Sequence, residues 1–301
     1  MALDAKSVHK PFKRLGKLLR DFPDPPASDD VHDVRTHTRR IEAVIGAFQL
    51  DSKKAGSDLV KTLKPIRKVA GDVRDMDVLT GFAASLDPGS DGDCRLQLMH
   101  HLARRRTKVA HKLAKKVNAN EKQARANLKQ SRKLAESGLD TATSKHPKEK
   151  DKRRTREKAA HSMASSLQIE QELRDWPKLN ESNMHPFRLK VKELRYVLQL
   201  GEDSDSKLID ALGEVKDQIG LWHDWNDLAG IAGKVLDHGA KCSIIAQIRA
   251  HTKQEFAKAL NTSNALRSQY LPNDAARGGR KKGAVSELHP AVVRATSRLA
   301  S

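Results

Sequence analysis

The sequence predicts an all-α chain made of two similar halves, and three observations carry that prediction. Its 301 residues are 38% hydrophobic and only 4% aromatic, with frequent Lys, Arg, Ala and Leu, all good helix formers. Apolar residues recur at helical spacing along most of the chain. One short phrase also occurs twice: His32-Asp33-Val34-Arg35 with Arg39 four residues on, and His185-Pro186-Phe187-Arg188 with Lys192 four residues on.

The first helix spans Ser7 to Phe22 with Phe12, Leu15, Leu18, Leu19 and Phe22 inward; Pro23-Asp24-Pro25-Pro26 stops it, because proline has no N–H to donate. Asp29 or Asp30 is placed to cap the second helix, which carries the first phrase and runs to Leu50. A third helix covers Gly56 to Ser85. The turn-forming run Asp87-Pro88-Gly89-Ser90-Asp91-Gly92 leads to a fourth, from Cys94 to Ala135. In the second half a helix from Lys158 to Trp176 ends at Pro177. Asn183 is placed as the cap of the next, which carries the second phrase to Gly201. Further helices run from Lys207 to Leu236 and, after Asp237-His238-Gly239, from Cys242 to Leu260. The third helices of the halves align too. Leu63–Leu79 laid on Leu212–Leu228 matches Gly71 with Gly220, Asp75 with Asp224, and Arg74 with His223.

These boundaries give a first bundle over 5–135, a charge-dense linker over 136–157 that contains SKHPKEKDKRRTR at 144–156, and a second bundle over 158–260. Residues 261–301, including Gly278-Gly279-Arg280-Lys281-Lys282-Gly283, read as a basic, disordered tail.

Lys and Arg number 57 against 38 Asp and Glu, a formal net charge of +19. Such an imbalance points to a polyanionic partner: a nucleic acid, an anionic membrane surface or a phosphate-rich polymer. Scarce aromatics argue against modules that stack bases. No apolar run is long enough for a signal peptide or a membrane span, and Cys94 and Cys242 give neither a disulfide framework nor a zinc site. A reduced, cytoplasmic setting is expected.

At about 100° per residue, His32, Arg35 and Arg39 share an arc of about 60°, with Ile41 opposite. His185, Arg188, Lys192 and Arg195 repeat the arrangement, with Leu194 opposite. Each copy can therefore pack a core and still show cations outward. Arginine offers phosphate a planar fork, lysine a point charge, and histidine a donor that gains charge on protonation. Arg40, Arg74, Arg105 and His223 join the candidate set by register. Asp75, Asp77 and Asp224 would repel phosphate, so their expected task is to hold neighbouring arginines; Gly71 and Gly220 are expected to let helices approach closely, and Trp222 and Trp225 to pack inside. Nothing resembles a Walker loop, a nucleophile elbow or a metal cluster, and His32 and His37 point to different sides of one helix. Binding without catalysis, with no cofactor and no metal, is the expectation.

The segments VHDVRTHTRRIEAVIGAF (31–48), GDVRDMDVL (71–79), HPFRLKVKELRYVL (185–198) and QIGLWHDWNDL resemble the CHAD family, the conserved histidine α-helical domain. The likeness covers residues 5 to 260. It implies two antiparallel four-helix bundles related by a pseudo-two-fold axis, with a central basic groove. It also implies an association with inorganic polyphosphate, in some members at polyphosphate granules. Two departures stand out: Glu42 occupies a position where the family commonly has a second arginine, and Lys190 and Lys192 stand at positions often filled otherwise. Many relatives carry a CYTH domain with an E-x-E-x-K strand; the nearest string here, Glu170-Gln171-Glu172-Leu173-Arg174, falls in a predicted helix, so a CHAD domain without a CYTH partner is expected. The alternatives are a nucleic-acid-binding protein, with the basic tail as a further contact, and an accessory subunit of a polyphosphate- or triphosphate-processing enzyme.

Overall fold

Leu, Ala, Lys and Arg at helical spacing produce helices of unequal length, and a computed structural model describes them over residues 5–47, 50–142, 166–199, 205–237 and 242–272. Helix α1 is Ala5–Arg20, α2 Ser28–Ala47, α3 Lys54–Ser85 and α4 Gly92–Ala142, with a short 3-10 turn, η1, at Leu50–Ser52. A helical stretch over 166–174, α5, is followed by α6 Met184–Leu198, α7 Ser206–Val235 and α8 Ser243–Tyr270. Among the described residues there is no strand. The chain divides into a first unit, Met1–Pro147 with Val235–Ile244, and a second, Lys148–Lys234 with Ile245–Ser301.

Each unit folds around its own apolar stripe. In the first, Leu15 and Leu19 of α1, Val31, Val34, Ile41 and Ile45 of α2, Leu59, Leu63, Ile66 and Val73 of α3, and Leu113 and Val117 of α4 form one cluster. In the second, Leu173 of α5, Phe187, Val191 and Leu194 of α6, Leu212, Val215 and Ile219 of α7, and Leu266 of α8 do the same. Truncating one such leucine to alanine typically costs about 2–5 kcal/mol through lost contact and the cavity left behind. Gly56 fits α3 against η1, since a Cβ there would fall 2.0 Å from the Leu50 carbonyl oxygen.

Several boundaries differ from those expected. Helix α4 continues past Ala135 to Ala142, so the expected linker begins as helix; the remainder of that linker lies outside the described residues. Helix α8 passes Leu260 and reaches Tyr270, because Ser263, Leu266 and Tyr270 extend its buried stripe. Residues 261–271 thus belong to the folded second unit, and 273–301 lie outside the described residues. Asn183 does not cap α6 with its side chain. It closes the preceding loop instead, accepting from the Asn180 amide at 2.8 Å and donating to the Lys178 carbonyl at 2.9 Å. Asp29 and Asp30 lie inside the first turn of α2, where Asp30 reaches back to the Ala27 amide at 2.9 Å.

The rejected strand string is helical, and within it Arg174 Nη2 donates to Glu170 Oε1 at 3.0 Å across one turn. Cys94 and Cys242, distant in sequence, meet in the first unit, where burial and the neighbouring Cys242 thiol push Cys94 up to about 11.

Candidate functional site

On α2 the core stripe of Val31, Val34, Ile41 and Ile45 is buried, while His32, Arg39 and Arg40 are exposed. Arg35 sits half-buried between these two sides and reaches across to α3, where its Nη1 lies 2.6 Å from the point a Cβ on Gly71 would occupy. Glycine here makes room for a guanidinium, not for close approach of another helix backbone. Burial and then Arg39 press the Arg35 pKa downward; Asp75 opposes them, and Arg67 and Arg74 add to the pressure. Arginine stays protonated under such pressure, so the result is a cluster of positive charge with Asp75 facing Arg35.

Asp77 also has an organising place. Its Oδ1 accepts from Arg106 Nε at 3.0 Å and its Oδ2 from Ser28 Oγ at 3.0 Å, tying α3 to α4 and to the start of α2. Arg105, the expected candidate on α4, is exposed and is not the arginine that Asp77 holds. One helical step of 100° separates the two, a register that pattern alone does not resolve. Arg40 turns away from Arg35; it belongs with Arg14 and Lys10 among the charges that act on buried His37. Glu42 accepts from Arg67 Nε at 2.9 Å, a pairing the sequence reading did not foresee.

The α6–α7 face uses the arginine–glycine contact twice. Arg188 Nε donates to the Lys216 carbonyl at 2.9 Å, and its Nη2 lies 2.8 Å from the Cβ position of Gly220. Arg195 Nε donates to the Ile209 carbonyl at 3.3 Å and lies 3.3 Å from the Cβ position of Gly213. In each case the accepting carbonyl is four residues before the glycine. A helix carbonyl keeps a second lone pair after its internal bond, and the bare glycine surface lets an arginine reach it. The arginines step forward by seven and the glycines backward by seven, so α6 and α7 run antiparallel along this contact.

His185 and His223 add a titratable element to the same face. Their ring centroids are 5.0 Å apart with planes at 41°, and His223 Nδ1 is 3.3 Å from Asp227 Oδ2. The hydrogen bond to Asp227 raises the pKa of His223 against the effect of burial, with Asp224 also raising it and Arg188 lowering it. His185 is pushed the other way by burial, then by His223 and Arg188, and its Nδ1 is buried without a hydrogen-bond partner. Lys192 Nζ stands 5.6 Å from the Tyr196 ring centroid, within cation–π range.

The two buried tryptophans pack as expected. Trp222 meets Phe256 at 5.3 Å, and Trp225 stacks on His251 at 4.4 Å with planes 13° apart. The structure thus gathers Arg35, Arg39 and Arg74 on one face and His185, Arg188 and His223 on the other, with Arg195 further along α6. His32 is exposed near its α2 neighbours, its Nε2 3.4 Å from Thr36 Oγ1. Gly213, Arg67 and Arg106 were not singled out beforehand. Among the described residues no group of three or more potential metal ligands occurs, and no helix is long and apolar enough to cross a membrane.

The CHAD domain family model matches residues 5–231. Among solved structures, the CHAD domain from the plant Ricinus communis superposes with a TM-score of 0.55 at 16% sequence identity, covering 89% of this chain and 93% of that one. At that identity the likeness is one of fold. No curated protein matches the chain.

Proposed function

The chain belongs to the CHAD domain family, a family associated with polyphosphate binding, and from that premise we propose that its α2–α3 and α6–α7 faces bind inorganic polyphosphate without cleaving it. The observation that carries this reading is the repeated seating of an arginine over a glycine: Arg35 on Gly71, Arg188 on Gly220, Arg195 on Gly213. Arg188 and Arg195, anchored through Nε, have already lost much of their rotamer freedom, so their outer N–H groups meet an oxyanion at lower entropic cost. A phosphate polymer offers closely spaced oxyanions and no bases to stack, which suits faces whose tryptophans are buried. The same reading puts the chain in the cytoplasm, at polyphosphate granules where these exist.

Competition separates this from nucleic-acid binding. Long-chain polyphosphate is expected to displace labelled DNA at a far lower phosphate concentration than DNA displaces polyphosphate; the reverse order would favour a nucleic-acid role. Incubation with polyphosphate or nucleoside triphosphates and Mg²⁺ is expected to release no phosphate in proportion to protein. Release that scales with protein would point to an enzyme or an enzyme's subunit.

A further inference from the structure

The first unit carries a second cationic surface that the polyphosphate reading does not use. An open groove of about 350 Å³ runs between α1 and α4. One rim is Lys13, Lys17 and Arg20; the other is Arg125, Lys129 and Arg132. Both rims have the spacing i, i+4, i+7, a span of about 10.5 Å, or two helical turns. The floor is apolar, built from the buried Phe12 and Leu128, and a dent opens at Gly16, whose Cβ would meet nothing within 4 Å.

Some of this charge is answered locally. Arg125 Nη1 is 2.7 Å from Glu121 Oε1, Arg132 Nε is 3.3 Å from Glu136 Oε1, and Arg20 Nε is 3.6 Å from Asp21 Oδ1. Lys13, Lys17 and Lys129 are exposed and have no acidic partner among the described residues. Two parallel rails of cations around an apolar floor thus remain partly uncompensated.

We infer that this groove docks an acidic amphipathic helix of a partner protein. Such a helix repeats its side chains at the spacing of the rails, sets an apolar stripe on the floor, and carries carboxylates on both flanks toward the lysines. A phosphate polymer has no apolar part to fill the dent at Gly16, and a membrane surface does not enter a concave groove. A second copy of this chain, at +19, and its own basic segments are opposed by like charge.

The probe is a labelled synthetic helix of about 18 residues with leucines on one face and glutamates flanking them, followed by fluorescence anisotropy on the full chain. Its controls are the same residues in scrambled order, long-chain polyphosphate, and phosphatidylserine vesicles. The designed helix is expected to bind saturably and the scrambled peptide at least about tenfold more weakly. The triple variant Lys13→Glu/Lys17→Glu/Lys129→Glu is expected to weaken the helix by at least about tenfold. Gly16→Leu, which fills open space and favours α1, is expected to block it to a similar degree while circular dichroism and polyphosphate affinity stay unchanged. Equal binding of the scrambled peptide, unchanged helix affinity in both variants, or a loss of polyphosphate or vesicle binding in Gly16→Leu would each overturn the proposal.

Discussion

The α2–α3 and α6–α7 faces are written from the same phrase, yet they hold their cations differently. On α6–α7 two arginines lie on two glycines and are pinned to backbone carbonyls. On α2–α3 only Arg35 has its glycine; the register position of Arg195 is Glu42, that of Gly213 is Lys64, and Glu42 bridges to Arg67. Where the second face has the titratable His223 beside Asp227, the first has Arg74. The first face is therefore partly neutralised by its own carboxylates, while the second is more fully pre-arranged and carries two histidines in contact. The two faces share the pair of Arg35 on Gly71 and Arg188 on Gly220, together with His32/His185 and Asp75/Asp224, and differ at the second arginine–glycine seat.

Charge reversal is the hardest blow to either face. Arg35→Glu and Arg188→Glu are each expected to weaken polyphosphate binding by about 10- to 100-fold, the range of a lost charge-assisted hydrogen bond. Isothermal titration of each single variant checks this; loss from only one would mean that one face alone binds the polymer.

Removing the seats without touching the arginines comes next. Gly71→Ala and Gly220→Ala place a methyl 2.6 and 2.8 Å from guanidinium nitrogens, so the heads must move. Affinity is expected to fall several-fold, about the equivalent of 1 kcal/mol. Arg35 can swing at its flexible end, so Gly71→Ala is expected to leave thermal stability unchanged or raise it by up to about 1 kcal/mol through helix propensity. Gly220→Ala must also disturb the bond from Arg188 Nε to the Lys216 carbonyl and is expected to lower stability.

The pH response separates the faces further. His223, raised by Asp227, contributes stability that is fully present below its unfolded value of about 6.5 and is lost as pH rises through its higher folded value. His185, lowered by burial, acts in the opposite sense: stability falls as pH drops below about 6.5, where the unfolded chain takes up the proton more readily. Phosphate favours both protonated rings, so affinity is expected to rise as pH falls from about 8 to about 6. Asp227→Asn removes the anchor of His223 and should move the upper part of that rise to lower pH. Titrations of affinity across that range read the shift.

Glu42 gives the smallest effect. Glu42→Gln is expected to free Arg67 and tighten binding a few-fold, at a stability cost of about 0–1 kcal/mol for a partly exposed pair. Glu42→Arg alone should gain less than Glu42→Arg/Lys64→Gly, because only the double change supplies the glycine on which the new arginine can lie.

Much of this architecture was legible in the residues. The duplicated phrase located α2 and α6, and the offset match of Gly71 with Gly220 marked equivalent points on α3 and α7. What those glycines do was not legible, since close helix approach and a seat for a guanidinium leave the same signature in one sequence. The Arg106–Asp77 pair was not legible either, since a pattern fixes a helix face only to about one residue and does not say which arginine a carboxylate will hold. The end of α8 was placed too early because Asn261, Thr262, Ser263 and Asn264 look like a loop; in the fold Ser263 is buried against Met184, with Oγ 3.9 Å from the sulfur, and the helix continues. The Cys94–Cys242 contact depends on tertiary structure that spacing cannot convey.

The most direct measurement is the affinity for chain-length-defined polyphosphate across a series of salt concentrations, on wild type and on the double variant Arg35→Glu/Arg188→Glu. If the two faces hold the polymer, wild type binds saturably and log K falls steeply with log[salt], by about 0.7 per phosphate neutralised. The double variant, still fully helical by circular dichroism, should then lose at least about 100-fold and show a flatter slope. A slope near zero in wild type, or a double variant that binds as wild type does, would contradict it.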